Sequence, residues 1–553
     1  MERPLLRHGR IERRDYQVNI ARSCSKRPTL VVLPTGMGKT VIATLVIADR
    51  ITEGKKVLFL APTKPLVAQH ARTLADFMRG PTIIQFTGEV PPPSRTDLWQ
   101  ENDIIVSTPQ VIENDLESGS MTLGDVSLVV FDEAHRAVGD YAYVPIGKAC
   151  KKERILTMGM TASPGSDPAK ILEVCDNLGI VGVEIRTDYD PDVVNYIHDI
   201  DVKFVPVEVP ENLKKIVTRL RKALDKQIQE LRKHGFLEMD KPVTRRDLLD
   251  AQKEIQRRLA SGEKQYKLFR AATLQAMAMK IDYAIEFAES QGIDALREYF
   301  KRMVEESKQK EAKRASKLVV QNFEVLQAMS LAKDEGFERP KLDKVIELLK
   351  RQFSEKEDSL AIVFTHYRDT SLTVTRELEK VEGLRPVRFV GQSRRGEDRG
   401  LRQREQVEAI KKFKDGVYNV LVATRVAEEG LDIPSTDLVI FYEPIPSEIR
   451  TIQRRGRTGR KRPGKVVVLG SRATRDEWFH LSAKRKEWKM HRELERLRRD
   501  LKQSIFVGEP GQETFADAGD RISGLRRRLE KKEEKRPTKH TKQSSLEDHI
   551  EDY

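Results

Sequence analysis

The run LVVLPTGMGKT ends in Gly36, Met37, Gly38, Lys39 and Thr40, between a β-branched apolar stretch and the helical run VIATLVIADRI. Glycines let backbone N–H groups close around phosphate oxygens, Lys39 reaches the terminal phosphates, and Thr40 offers a hydroxyl to Mg²⁺. The general phosphate-loop pattern has glycine where this chain has Leu33. Further on, VVFDEAH closes an apolar run with Asp132 and Glu133. A carboxylate at the carboxyl end of a buried strand points into the crevice where open α/β sheets bind ligands. There Asp132 can hold the Mg²⁺ shell, and Glu133 can orient and deprotonate an attacking water. QRRGRTGR carries Gln453, Arg457 and Arg460, with the arginines at i and i+3 and so on one face. Guanidinium groups stabilise charge in phosphoryl transfer; the alternative is a basic face that only binds nucleic acid. Upstream, ATRVAEEGLDIP follows a strand-like run, placing Thr424 for a backbone phosphate and Gly430 and Asp432 near a nucleotide ribose. The chemistry these residues share is hydrolysis of ATP with Mg²⁺.

Such residues need strand ends and helix starts to hold them. Between residues 29 and 200 the runs TLVVLP, KKVLFLAPT, NDIIVSTPQ, VSLVVFDEAH and ILTMGMTAS alternate with helical stretches. Continuous apolar runs, without strict alternation, predict a parallel sheet covered on both faces. The pattern returns from 341 to 471 in SLAIVFTHY, RPVRFVGQ, YNVLVATRV, TDLVIFYEP and GKVVVLGS. Between the two, Leu213, Ile216, Val217, Leu220, Leu224, Ile228 and Leu231 recur at helical spacing. Similar stripes (Leu274, Met277, Ala278 and Ile281; Leu296, Tyr299, Phe300 and Met303) predict helix-bundle core. The expected organisation is α/β: a first parallel-sheet lobe over 1–205, a helical insertion over 206–338, a second lobe with a C-terminal helix over 339–505, and a charged, disordered tail over 506–553.

The chain has 553 residues, of which 39% are hydrophobic and 34% charged, and a net charge of +14. That excess of Lys and Arg favours a polyanionic partner. Cys24, Cys150 and Cys175 match no paired zinc spacing and read as small buried residues in a reducing compartment. No apolar run approaches the ~18 residues that suggest a membrane span, so a soluble, cytoplasmic protein is expected, or a nuclear one in a eukaryote.

In order, RDYQ, PTGMGKT, APTKPL, STPQ, DEAH, TAS, VFTHY, FVGQ, ATRVAEEGLDIP and QRRGRTGR resemble the motifs of superfamily 2 helicases. They are most similar to the DEAH group of archaeal Hef, its Fanconi-anaemia relatives (FANCM), Dicer and the cytosolic RNA sensors. The helical insertion and GSRATRDEWFHLSAKRKEWKMHREL resemble Hef more closely. The resemblance implies two RecA-like lobes. It places Arg14 on the adenine, Gln17 at its edge, and Thr35 with Gly36 and Gly38 on the nucleotide. Thr63, Lys64, Pro65, Thr108, Thr365, Gln392 and Thr424 fall where that family grips a nucleic-acid backbone. His135, Thr161 and Ser163 fall where it couples hydrolysis to movement. The insertion is then a clamp for duplex or branched structure, the alternative being a spacer that braces the lobes. Hef carries an XPF-type nuclease after its helicase; no ERKxxxD-like cluster occurs here, so a motor without the nuclease is expected.

Three functions follow: a DNA helicase or translocase, 3′ to 5′ by family precedent, that remodels forked or branched DNA in repair; a duplex-RNA-activated ATPase of the sensor or Dicer class; or a nucleotide-gated scaffold that does not hydrolyse. In the tail, Gln543, Leu546 and Ile550 of KQSSLEDHI resemble a sliding-clamp-binding peptide, with His549 and Ile550 replacing its aromatic pair.

Overall fold

The computed structural model describes residues 3–51, 54–165, 167–187, 190–193, 196, 200–262, 266–334, 336–392, 398–424, 433–445 and 464–505. Among these, the apolar runs form strands β1 (Thr29–Val32), β2 (Lys56–Leu60), β3 (Ile83–Phe86), β4 (Ile104–Ser107), β5 (Val126–Asp132), β6 (Leu156–Thr161) and β7 (Gly182–Ile185). They make one parallel sheet in the order β3-β4-β2-β5-β6-β1-β7. Its central strands are buried along their length, as helices on both faces require.

The later strands are β8 (Ile200–Val207), β9 (Ala361–Phe364), β10 (Pro386–Phe389), β11 (Val420–Ala423), β12 (Leu438–Phe441) and β13 (Gly464–Ser471). They form a second parallel sheet in the order β10-β11-β9-β12-β13-β8. Two boundaries need correction. The first lobe does not extend to residue 205, because β8 pairs with β13 from Ile200↔Gly464 to Val207↔Ser471. The C-terminal helix Arg475–Ile505 does not belong wholly to the second lobe either. The chain divides into Met1–Tyr196 with Glu487–Tyr553, and Ile197–Lys486, and Met490 accepts a hydrogen bond from Ser163 Oγ at 2.9 Å. The expected disordered tail lies outside the described residues.

Between β8 and β9 in the chain lies a helical bundle. Helix Glu211–Lys233 buries Leu213, Ile216, Leu220 and Leu231. Helix Arg245–Ala260 starts at a capping box in which Thr244 Oγ1 accepts from Asp247 N. Helix Tyr266–Glu286 continues into a fully buried π-turn, Phe287–Gln291, which stops at Gly292. Such a turn forces polar groups inward: Glu289 pairs with Arg221 of the bundle, while Ser290 and Gln291 find partners in the second lobe. Ser290 Oγ donates to Asp476 Oδ1 at 2.6 Å, and Thr370 Oγ1 donates to Gln291 Oε1 at 2.8 Å. Lys341 Nζ donates to Asp476 Oδ2 at 2.6 Å and to the Ser290 carbonyl at 2.7 Å. Nearby, Asp282 pairs with both Arg245 and Arg475, and Tyr367 donates to Glu286. Bundle and second sheet therefore share one ionic seam.

The three cysteines are free and buried. Burial pushes the thiols of Cys150 and Cys175 up to about 12. No described helix is long and apolar enough to cross a membrane.

Candidate nucleotide and nucleic-acid sites

Leaving β1, the chain turns through Gly36 (φ 89) and Gly38 (φ 79) before helix Lys39–Arg50 begins. These positive φ values fall where glycine alone is unstrained. A Cβ at residue 38 would also lie 2.4 Å from Gln17 Nε2. Gln17 is buried, and its amide donates to the Met37 carbonyl at 3.1 Å beside the Tyr16 hydroxyl at 2.8 Å. The RDYQ segment thus braces the loop from behind. Lys39 Nζ folds back to the Leu33 carbonyl at 3.0 Å, while Thr35 and Thr40 are half-buried at the mouth. Arg14 pairs with Glu12 at 2.9 Å and lies 4.8 Å over the Tyr196 ring, a stacking geometry.

β5, β6 and β1 are neighbours, so Asp132, Thr161 and the loop converge at one carboxyl edge. Asp132 is buried, its Oδ2 lies 2.8 Å from His70 Nε2, and Tyr143 OH donates to its carbonyl at 2.7 Å. Burial pushes the Asp132 carboxyl pKa up, but His70, Lys39 and the Glu133 N–H outweigh it. The net direction is down, and the group is ionised at neutral pH. Glu133 has a left-handed backbone, φ 49 and ψ 49. Its Oε2 is buried with no hydrogen-bond partner among the described residues, although His135 Nδ1 lies 3.3 Å away. The same His135 nitrogen lies 3.1 Å from Thr161 Oγ1, which accepts from Ser163 N at 3.1 Å. His135, Thr161 and Ser163 therefore form one connected set. The glycine turn, the inward-aimed Glu133 oxygen and the ionised Asp132 beside Lys39 fit a triphosphate with a divalent cation.

Farther along the first sheet, Thr63 and Thr108 follow the adjacent strands β2 and β4 and cap helices Lys64–Phe77 and Pro109–Glu117. Thr63 Oγ1 is buried with no hydrogen-bond partner among the described residues. Pro65 fills the first turn, and Lys64 pairs with Glu89 at 3.0 Å. Exposed N–H groups at such helix starts suit phosphate. In the second sheet Thr365, Thr424 and Gln392 follow the neighbouring strands β9, β11 and β10; both threonines are buried and Gln392 is exposed. Gly430, Asp432, Gln453, Arg457 and Arg460 lie outside the described residues, as do Gln543, Leu546, His549 and Ile550. Sequence reasoning missed His70, Tyr16 and Tyr143, the partners that fix Asp132 and the loop. Tyr16 sits inside RDYQ, where only Arg14 and Gln17 were assigned a part, and His70 and Tyr143 each sit singly in a helix with no motif to mark them.

A phosphate loop and an ionised strand-end aspartate at one sheet edge define a P-loop nucleotide-binding lobe, here followed by a second parallel-sheet lobe. The DEAD/DEAH box helicase model matches residues 14–171, the helicase conserved C-terminal domain 340–462, and the helical-bundle model of an ATP-dependent RNA helicase 212–335. The crystal structure of the Pyrococcus furiosus Hef helicase domain is similar, with 44% identity and a TM-score of 0.66, over 87% of this chain and all of that one. A Methanocaldococcus jannaschii protein named as an ATP-dependent RNA helicase is 38% identical over 90% of this chain and 62% of its own length. The ATP-dependent DNA helicase mph1 of Neurospora crassa is 34% identical over 84% of this chain and 42% of its own. The chain thus spans less than two thirds of either relative. It belongs to the superfamily 2 helicases, ATP-driven enzymes, in the group of Hef and the FANCM-like DNA helicases.

Proposed function

We propose that this chain is the ATP-driven motor of a DNA helicase or translocase that remodels forked or branched DNA, moving 3′ to 5′. The observation that carries the reading is the repeated placement of Thr63 and Thr108 in one sheet and Thr365 and Thr424 in the other. In both sheets these threonines follow adjacent strands, the position from which hydroxyls and helix starts take a nucleic-acid backbone without reading bases. In the nucleotide site Lys39 would neutralise the phosphates of ATP, while Thr40 and Asp132 would hold a divalent ion. When bound, that ion supplies further positive charge against the phosphate oxygens. Glu133 takes the proton of the attacking water, Arg457 and Arg460 add cationic stabilisation, and Gln453 adds a neutral hydrogen-bonding group. The set of His135, Thr161 and Ser163 relays the state of the site.

The fungal relatives are named as DNA helicases, which supports DNA. A duplex-RNA substrate is the second reading, because the matching bundle model and the Methanocaldococcus relative are named for RNA. ATPase rates across forked DNA, single-stranded DNA and duplex RNA separate the two. Strongest stimulation by forked DNA is expected, and stimulation by duplex RNA alone would overturn the DNA reading.

A further inference from the structure

Helix Arg475–Ile505 buries Asp476, Ala483 and Met490. Its exposed positions among the described residues begin Trp478, Leu481, Lys484, Arg485, Trp488 and Lys489. They continue with Arg492, Arg496 and Arg499, all at helical spacing. Every one is aromatic, aliphatic or cationic; the acids Glu477, Glu487, Glu493 and Glu495 are only half-exposed. Trp478 is 58% exposed and Trp488 65%, although an amphipathic surface helix ordinarily buries its largest apolar side chains. Arg492 lies 5.0 Å over the Trp488 ring and 3.8 Å from Glu493. Lys484, Arg485 and Lys489 make no ion pair with a described residue.

An outward face that alternates indoles with cations, with no carboxylate among its described exposed residues, is complementary to a polyanion with flat, stackable groups. Acidic protein surfaces satisfy the charge but not the stacking, and duplex DNA hides its base faces. At 1.5 Å per residue the two indoles stand ~15 Å apart along the helix, about four steps of a strand at ~3.4 Å each. We propose that this helix face is a nucleic-acid contact outside the motor threonines, taking a single strand with bases on Trp478 and Trp488 and phosphates on Lys484, Arg485 and Lys489. It rests on the motor reading only in that nucleic acid is the partner. The face suits a strand already separated from its complement, and holding that strand opposes reannealing.

The chain has three tryptophans, and Trp99 is buried, so intrinsic emission reports chiefly on this face. Titrating the full chain with oligothymidylate should quench that emission. In Trp478→Ala/Trp488→Ala the affinity measured by anisotropy of a labelled oligonucleotide should fall by about fivefold or more per tryptophan. In Arg485→Gln/Lys489→Gln the slope of log affinity against log salt should flatten by about 0.7 per lost phosphate contact. Both pairs are exposed, so thermal unfolding should match the parent chain. Wild-type affinity in both double variants, or binding that leaves the emission unchanged, overturns the proposal. A loss confined to duplex overturns the single-strand assignment. Absence of oligonucleotide binding by the parent chain would instead remove the motor reading and this one with it.

Discussion

Glu133 follows the ionised Asp132 in a left-handed conformation that a glutamate adopts only at an energetic penalty of about 1–3 kcal/mol. Its neighbours over-determine that geometry: Tyr143 holds the Asp132 carbonyl, and His135 stands beside the carboxylate. Glu133→Gln keeps the shape and removes the proposed base. Turnover should fall at least about a hundredfold with nucleotide affinity nearly intact, as steady-state kinetics and nucleotide titration measure. His70 is a different case, because it touches Asp132 and not the mouth of the loop. His70→Ala leaves a buried carboxylate short of its closest partner, so stability should drop by about 1–3 kcal/mol in urea unfolding at neutral pH. An unchanged midpoint would mean that Lys39 and the Glu133 N–H suffice.

Among elements, the ionic seam between bundle and second lobe is the feature with the largest energetic leverage. The Asp282 side chain is only 3% exposed and answers two guanidinium groups, those of Arg245 and Arg475. Burial raises its pKa, Arg475 and Arg245 lower it more, and the net direction is down. A depressed carboxylate pKa adds stability that is complete above the ordinary value near 3.9 and lost as pH falls through the lower folded value. Asp282→Asn should therefore cost about 3 kcal/mol at neutral pH, and the gap from the parent should close below about pH 4. A gap that persists unchanged into acid would assign the loss to packing. Nothing in the run of residues around Asp282 announces this seam, since its partners Arg245 and Arg475 lie far away in sequence. The strands show a similar division. Every strand with interior neighbours on both sides was legible as a continuous apolar run, whereas β3, β7 and β8, all at sheet edges, were not. β3 carries the sequence IIQF with a half-exposed pattern, and β8 mixes Asp201 and Lys203 into its length, so neither forms the apolar run that signals burial on both faces. Missing β8 is also what displaced the lobe boundary. The glycine loop and DEAH residues were legible because contiguous residues form each motif; His70 and the seam were not, because their contacts are assembled only by folding.

At the scale of the whole molecule, the question is whether the bundle recognises substrate or only braces the second lobe. The seam argues that it braces: Tyr367, Thr370 and Lys341 all bond to the end of helix Tyr266–Glu286 or to the π-turn that follows it. Bracing and recognition are compatible, because a clamp must be fixed to the lobe that carries it. Replacing residues 208–335 with a flexible linker removes Asp282, Glu286, Ser290 and Gln291 together, and leaves Arg475 without its carboxylate. Adding Arg475→Gln to the deletion removes that stranded cation and keeps the comparison on recognition. The deletion should melt at a lower temperature than the parent, since the bundle's core also packs against Tyr367. It should retain part of its ATPase, because the glycine loop, Asp132 and Glu133 lie in the other unit. What it should lose is the preference for forked over single-stranded DNA, read as the ratio of ATPase rates on the two substrates. A folded deletion with an unchanged ratio would make the bundle a brace alone, and fork selection would then have to reside in the two sheets or in the tryptophan face of the C-terminal helix. The Trp478→Ala/Trp488→Ala pair in the deletion background separates those two locations.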